Sequence, residues 1–269
     1  MNANQERHES FEASGAITAK VYTSSGDVTI GASDSSVIEV TLSVSDPSHQ
    51  HLLDEAEVSF VASKGTLEVR SKSHENHNAM RGFTAVIRRN SWFEFGGSDP
   101  DVHIALPEGS SVEVTTASGD TEIIGTLARA GVTSASGNVS VADEVGVLEM
   151  KTASGDVKTA AVRESLTCHS ASGNVRCASA GTTTKIRTAS GDVKLSVEVP
   201  SEISIRTVSG NVAIAVARGL DVDVDATSIS GRLTSTMPLD STKGDPRDGD
   251  AVAINAKTVS GNVAVSSAN

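Results

Sequence analysis

The chain has 269 residues, 38% of them hydrophobic, which is room for one large domain or two ordinary ones and excludes a disordered chain. Aromatics make up only 3%, five Phe, one Tyr and one Trp, against 23 Gly, so the core must be built from small aliphatic side chains and favours thin strand-based layers. A net charge of −12 excludes a general nucleic-acid coat, whose binding rests on neutralising phosphates with Lys and Arg.

The first residues, MNANQERHESFEASG, mix Glu, Arg and His and contain no apolar h-region. They do not read as a secretory signal, and no later run approaches the ~18 apolar residues of a membrane helix. With two cysteines in the whole chain, the expectation is a cytoplasmic protein with no membrane span and no disulfide scaffold. A first strand and turn follow at Ser24-Ser25-Gly26-Asp27-Val28, then a short helix near Leu52 to Glu57 and a degenerate strand, Lys64-Gly65-Thr66-Leu67-Glu68-Val69. Residues 1–107 are therefore read as irregular N-terminal β coils, with an aromatic insert at 80–100. Residues 108–269 are read as regular coils, continuous with the first part as one domain.

The insert, MRGFTAVIRRNSWFEFGGSDP, holds four of the seven aromatics. Clustered rings with arginines are what a partner-contact hot spot uses, so Arg88, Arg89, Trp92, Phe93 and Phe95 are candidates for one. The alternative is a flap that covers an apolar flank or an open strand edge.

From Gly119 the pattern becomes regular. A Ser-Gly step, in most copies Ser-Gly-Asp/Asn-Val, recurs with its glycine at Gly26, Gly119, Gly137, Gly155, Gly173, Gly191, Gly210, Gly231 and Gly261. From Gly119 to Gly191 the spacing is 18, and the later intervals are 19, 21 and 30. Apolar residues stand seven and five before the glycine, as in Val112 and Val114 or Leu166 and Cys168, and two and four after it, as in Val139 and Val141 or Val193 and Leu195. Each side of the glycine is thus a short strand with one apolar face. The step between them is turn chemistry, because Gly accepts positive φ and Asp or Asn bonds back to the backbone. A unit of this size cannot bury its apolar face alone, whereas stacked copies bury a continuous one. The fold class expected is all-β: a β-solenoid, or β-helix, of ~18-residue coils with Ser-Gly-Asp/Asn-Val turns, stacked ~4.8 Å apart. A sandwich of independent hairpins is the competing architecture.

The residue after the glycine reads Asp120, Asn138, Asp156, Asn174, Asp192, Asn211. Alternating carboxylates with amides avoids Asp stacked on Asp if one repeat is one coil. Simple interchange of Asp and Asn at a turn would give the same letters.

With the early Gly26 strand, the segment Val102-His103-Ile104-Ala105-Leu106-Pro107-Glu108-Gly109-Ser110 and the closing Ala256-Lys257-Thr258-Val259-Ser260-Gly261-Asn262-Val263, this array resembles the family of candidate bacterial adhesins. That family is a β-strand-repeat domain of unknown function, common in actinobacteria. The resemblance covers nearly the whole chain and implies a β-helical fold without enzymatic activity.

Two basic columns stand out beside the turns. Lys151, His169, Arg187 and Arg206 lie four before their glycines, and Lys158, Arg176 and Lys194 three after, all facing outward by parity. Such stripes suit an anionic polymer or partner by contacts that carry no sequence information. The competing reading is a solvated face balanced by surface acids. The triplets of the type Thr116-Ala117-Ser118 could form hydroxyl ladders of the ice-binding kind. Parity instead turns both hydroxyls inward as hydrogen-bonded corner ladders.

His49 and His51, and His74 and His77, lack metalloprotease spacing, and the turns lack the glycines of a calcium-binding β-roll, so no metal is expected. Cys168 and Cys177 fall in inward columns as small buried groups; they would pair only if their Cα atoms came within about 7 Å. No nucleophile, phosphate or dinucleotide motif is present, so no catalytic residue and no cofactor is assigned. The function expected is a non-enzymatic scaffold or interaction protein, able to self-associate, with no sequence-specific nucleic-acid partner. An anionic-ligand binder is the first alternative and a carbohydrate-active β-helix enzyme the second.

Overall fold

A computed structural model describes residues 5–71, 99–237 and 251–268. The chain opens with β1 (Glu6–Glu12), β2 (Thr18–Tyr22), β3 (Val28–Ser33) and β4 (Val37–Ser43). It passes through α1 (His51–Glu55), where the short helix was expected, and continues with β5 (Glu57–Val61), β6 (Thr66–Arg70) and β7 (Asp101–Pro107). The repetitive part supplies β8 (Ser111–Thr116), β9 (Thr121–Ile124), β10 (Leu127–Ser134), β11 (Val139–Ser154), β12 (Val157–Ser172), β13 (Val175–Ala180), β14 (Thr183–Ser190) and β15 (Val193–Val197). Then follow β16 (Glu202–Ser209), β17 (Val212–Val216), β18 (Asp221–Ser230), β19 (Leu233–Ser235), β20 (Ala251–Ser260) and β21 (Val263–Ser267). The chain is all-β, with an open sheet.

Two parallel ladders run side by side. The first stacks β6, β2, β8, β10, the second half of β11, the second half of β12, β14, β16, β20 and β18. The second stacks β7, β3, β9, the starts of β11 and β12, β13, β15, β17, β21 and β19. One strand of each ladder, joined by the Ser-Gly turn, makes a rung. Mid-stack partners such as Leu148 and Leu166 lie 18 residues apart, the separation also seen for Asn174 and Asp156.

The inward columns are those the alternation marks. Val112, Val114, Leu148, Met150, Leu166, Cys168, Ile203 and Ile205 from one ladder meet Val139, Val141, Val193, Leu195, Val212 and Ile214 from the other, all buried in one cluster that extends from Ala13 to Val265. Each such aliphatic side chain contributes about 1.5–3 kcal/mol when fully buried.

The order of rungs departs from sequence order at both ends. The rung of β2 and β3 lies between that of β6 and β7 and that of β8 and β9. The rung of β20 and β21 lies between that of β16 and β17 and that of β18 and β19. At the C-terminal end the chain steps past one layer and returns to fill it, whereas at the N-terminal end it lays down the inner rung first and the outer one second; in both cases β2, β3, β20 and β21 bond to neighbours on both edges. The widened intervals before Gly231 and Gly261 belong to this detour.

The turn glycines have a reason beyond dihedral freedom. A Cβ on Gly119, Gly137, Gly173, Gly191, Gly210 or Gly261 would stand 2.0–2.1 Å from the carbonyl oxygen of the glycine one rung away, and on Gly155 2.3 Å. Only some of them adopt the positive φ expected from turn chemistry: Gly173, Gly191, Gly210 and Gly261 lie at 133–151°, whereas Gly26, Gly119, Gly137, Gly155 and Gly231 do not take it. At Gly26, Gly119 and Gly137 the glycine N–H donates to the hydroxyl three residues earlier, Thr23, Thr116 or Ser134. From Gly155 onward it donates to the serine carbonyl of the next rung, as from Gly155 to Ser172 and from Gly210 to Ser260.

Candidate functional site

The turn edge carries a continuous side-chain ladder. The Oδ1 atom of each Asp or Asn after the glycine accepts the backbone N–H of its counterpart one rung on. The ladder passes from Asp101 through Asp27, Asp120, Asn138, Asp156, Asn174, Asp192, Asn211 and Asn262 to the N–H of Arg232, at 2.8–3.1 Å. Asn138, Asn174 and Asn211 also donate their amides to the preceding carboxylate. From Asp120 to Asp192, Asn between two Asp residues is therefore both a neutral spacer and a donor, but toward the first rungs the alternation lapses and Asp101, Asp27 and Asp120 stack directly on one another, against the expectation. Along this edge runs an open groove of about 430 Å³ lined by Ser136, Asn138, Ser154, Asp156, Ser172 and Asn174. Its Asx atoms already bond to one another, so a ligand there would have to displace the ladder.

The hydroxyl triplets divide. Thr116, Ser134, Thr152, Ser170, Thr188, Thr207 and Thr258 are buried, as parity requires. Ser118, Ser136, Ser154, Ser172, Ser190, Ser209 and Ser260 are exposed, against the inward expectation, even though five of them are the last paired residues of their strands. The hydroxyls of Thr152, Ser170, Thr207 and Thr258 make no hydrogen bond with the protein, since the glycine N–H that Thr116 caps in its own rung goes elsewhere in theirs.

The first basic column is assembled by strand pairing. Lys151 on β11 neighbours His169 on β12, His169 neighbours Arg187 on β14, Arg187 neighbours Arg206 on β16, and Arg206 neighbours Lys257 on β20. All five are exposed except His169, which is half-buried. Burial lowers the pKa of His169, and Arg187 and Lys151 on either side lower it further. Lys257 is the member that sequence reading missed. It too lies four before its glycine, but the rung order that brings it next to Arg206 skips the Gly231 repeat. Among the described residues only Lys257 of the five meets a carboxylate, Asp225 at 4.0 Å.

Lys158, Arg176 and Lys194 form a second column on β12, β13 and β15. It belongs to the other ladder. Both ladders bury their inward residues in one core, so the two columns stand on different walls of the stack. Arg176 is drawn toward Asp156 at 3.9 Å.

Arg88, Arg89, Trp92, Phe93 and Phe95 lie outside the described residues, but the anchor points of the insert are clear. Ser71 occupies the position of Thr23 one rung away, and Asp101 that of Asp27, so the insert is spliced into a turn. Buried Asp99 closes the splice: its carboxylate accepts from Ser71 Oγ at 2.8 Å, Thr23 Oγ1 at 3.2 Å and the Ser24 and Ser25 N–H groups.

Cys168 and Cys177 are free and buried, and burial pushes both thiols up to about 12, which is the opposite of an activated nucleophile. His49 and His51 lie at the start of α1, and His74 and His77 lie outside the described residues. Among the described residues no group of three His, Cys, Asp or Glu side chains is placed to hold a metal, and no helix is long and apolar enough to cross a membrane.

The family model described as Toastrack DUF4097 matches residues 18–266. Among solved structures, the chain is similar to a candidate adhesin from Bacteroides fragilis, at 12% identity over 99% of this chain and 98% of that one, with a TM-score of 0.47. It is also similar to a candidate lipid binding protein from Parabacteroides distasonis, at 17% identity over 99% and 98% of the two chains, with a TM-score of 0.46. A candidate cell adhesion protein from Clostridium sporogenes matches at 10% identity over 98% and 99%, with a TM-score of 0.30. No curated protein matches.

Proposed function

The chain belongs to the Toastrack DUF4097 family, and from that premise we propose that it is a non-enzymatic, adhesin-like β-solenoid of ~18-residue coils that acts as an interaction scaffold. Residues 1–107 and 108–269 act as one domain in this reading, which is supported by a core cluster containing Ala13, Leu106, Val112 and Val265. The docking element is the column Lys151, His169, Arg187, Arg206 and Lys257, and its ligand is an anionic polymer.

The observation that carries this reading is the pairing of those five residues on adjacent strands. Strand stacking sets them ~4.8 Å apart. An evenly spaced row of cations suits a chain of repeated negative charges better than a small ligand, and it reads charge rather than sequence. Among the described residues four of the five have no acid partner, so little of their attraction is spent on neighbouring side chains.

Retention on immobilised polyphosphate tests it. Charge reversal at Lys151, Arg187, Arg206 and Lys257 is expected to abolish retention and flatten its dependence on salt. Reversal at Lys158, Arg176 and Lys194, on the other wall, is expected to change it little. Equal loss in both variants, or none in either, overturns the assignment.

A further inference from the structure

The rung of β18 and β19 ends the stack with one edge unpaired among the described residues: β18 bonds to β20 and β19 to β21, with no strand beyond. In a parallel ladder alternate residues direct their N–H and C=O groups to each side, so half of the backbone groups of β18 face outward. Its side chains alternate as well. Val222, Val224 and Ala226 continue the inward columns of Val252, Ile254 and Ala256. Those three are buried, at 0–2% exposure, whereas Val224 is 39% exposed. Asp221, Asp223 and Asp225 point the other way and are exposed.

We propose that this edge is a docking site for an extended segment of a partner protein in which basic and apolar residues alternate, added as a further parallel strand next to β18. Apolar residues at every second position would cover Val222, Val224 and Ala226 as β18 itself covers Val252, Ile254 and Ala256. The intervening Lys or Arg side chains would stand opposite Asp221, Asp223 and Asp225, where directly opposed unlike charges stabilise a strand pair. Backbone bonds supply affinity and the alternating side chains supply selection, the division of labour in strand addition.

Charge decides against a second copy as the occupant. Two β18 edges would set aspartates against aspartates, and like charges opposed across strands destabilise. Head-to-tail stacking would not continue the parallel ladder either, because the opposite end of the molecule carries antiparallel strands over its last parallel rung.

The probe is a fluorescent peptide of alternating lysine and valine, titrated against the full chain. Binding is expected, with slower amide exchange in Asp221–Ser230. The exposed double variant Asp221→Lys/Asp223→Lys should weaken it about tenfold or more and gain affinity for the glutamate–valine counterpart. That exchange of preference separates a lost contact from a lost fold. A central proline in the peptide, which removes a ladder donor, should also abolish binding. The proposal is overturned if the proline peptide binds as well, if protection appears away from β18, or if the variant treats both peptides as the wild type does. It is equally overturned if the wild-type chain self-associates in sedimentation and the double variant does not.

Discussion

At one end of the stack the last parallel strands, β6 and β7, are covered by reversed ones: β5 lies antiparallel on β6, and β4 on β7 with β1 beyond it. Phe11 of β1 and Phe60 of β5 meet at 5.5 Å between ring centres and pack against the core, Leu53 of α1 is buried in that core, and Arg7 donates to the carbonyls of Leu53 and Ala56 at 2.7 Å each. At the other end β18 and β19 have no covering strand among the described residues, and Leu233 is 46% and Ile229 78% exposed. The described aromatics, Phe11, Tyr22 and Phe60, all belong to the closed end or next to it. A repeated rung tolerates only side chains that stack on copies of themselves. Covering the last one requires large, unrepeated groups and a change of strand direction. Among the described residues the open end has neither and is guarded by the charge of Asp221, Asp223 and Asp225 instead, a usual protection for an edge strand.

The sharpest way to break this comparison is to place one methyl group at each end. A Cβ on Gly26 would lie 2.0 Å from the Pro100 carbonyl oxygen, and on Gly231 1.9 Å from that of Gly261. Gly26 has rungs on both sides and cannot retreat, so Gly26→Ala should cost about 4 kcal/mol or more. The rung of Gly231 has no further rung beyond it among the described residues and can lift away, so Gly231→Ala should cost about 1 kcal/mol. Denaturant unfolding measures both, and equal losses would show that the C-terminal rung is held as firmly as the rest.

Packing gives the next largest contrast. Leu53→Ala empties a buried site and should cost about 2–4 kcal/mol, whereas Leu233→Ala removes a half-exposed side chain and should cost under about 1 kcal/mol. Arg7→Met keeps much of the aliphatic stem but leaves the Leu53 and Ala56 carbonyls without this donor. A loss of about 1–2 kcal/mol in thermal or chemical melts is expected.

Much of the middle of this molecule was legible in its letters. Two-residue alternation marked Val112, Leu148, Ile203 and their companions as core, and the Asp/Asn alternation foreshadowed the ladder from Asp120 to Asn211. The ends were not legible, because rung order is decided by which edges remain to be covered, and no local pattern states that the Gly261 repeat fits between Gly210 and Gly231. The same detour hid Lys257 from the basic column. Parity failed at Ser154, which is exposed although it still pairs at the end of β11, and the glycines were assigned to dihedral freedom when the closer constraint is a neighbouring carbonyl. The separation of the two basic columns required knowing that each ladder forms one wall of a shared core.

The smallest effect separates the two halves by charge. In the column of Lys151, the closed half presents Arg70, Tyr22, Thr115 and Thr133, with Arg70 held over the Tyr22 ring at 4.6 Å, and free cations begin only at Lys151. His169 sits among them with its pKa held below the ordinary 6.5 by burial and by Arg187 and Lys151. It is therefore neutral at pH 7. A folded value below the unfolded one means that the unfolded chain takes up the proton first. The contribution of His169 to stability is thus complete above about pH 6.5 and is lost as pH falls through the folded value. Polyanion binding has the opposite sign: phosphate beside the column offsets the repulsion from Lys151 and Arg187, raises the pKa of His169 and draws a proton in. Retention on polyphosphate should strengthen about two- to threefold between pH 7 and pH 5, while the melting temperature falls over the same interval. His169→Gln should remove the excess binding at acid pH and leave binding at pH 7 unchanged. If the variant keeps the full acid response, the proton is taken up elsewhere and the column works with four cations at every pH.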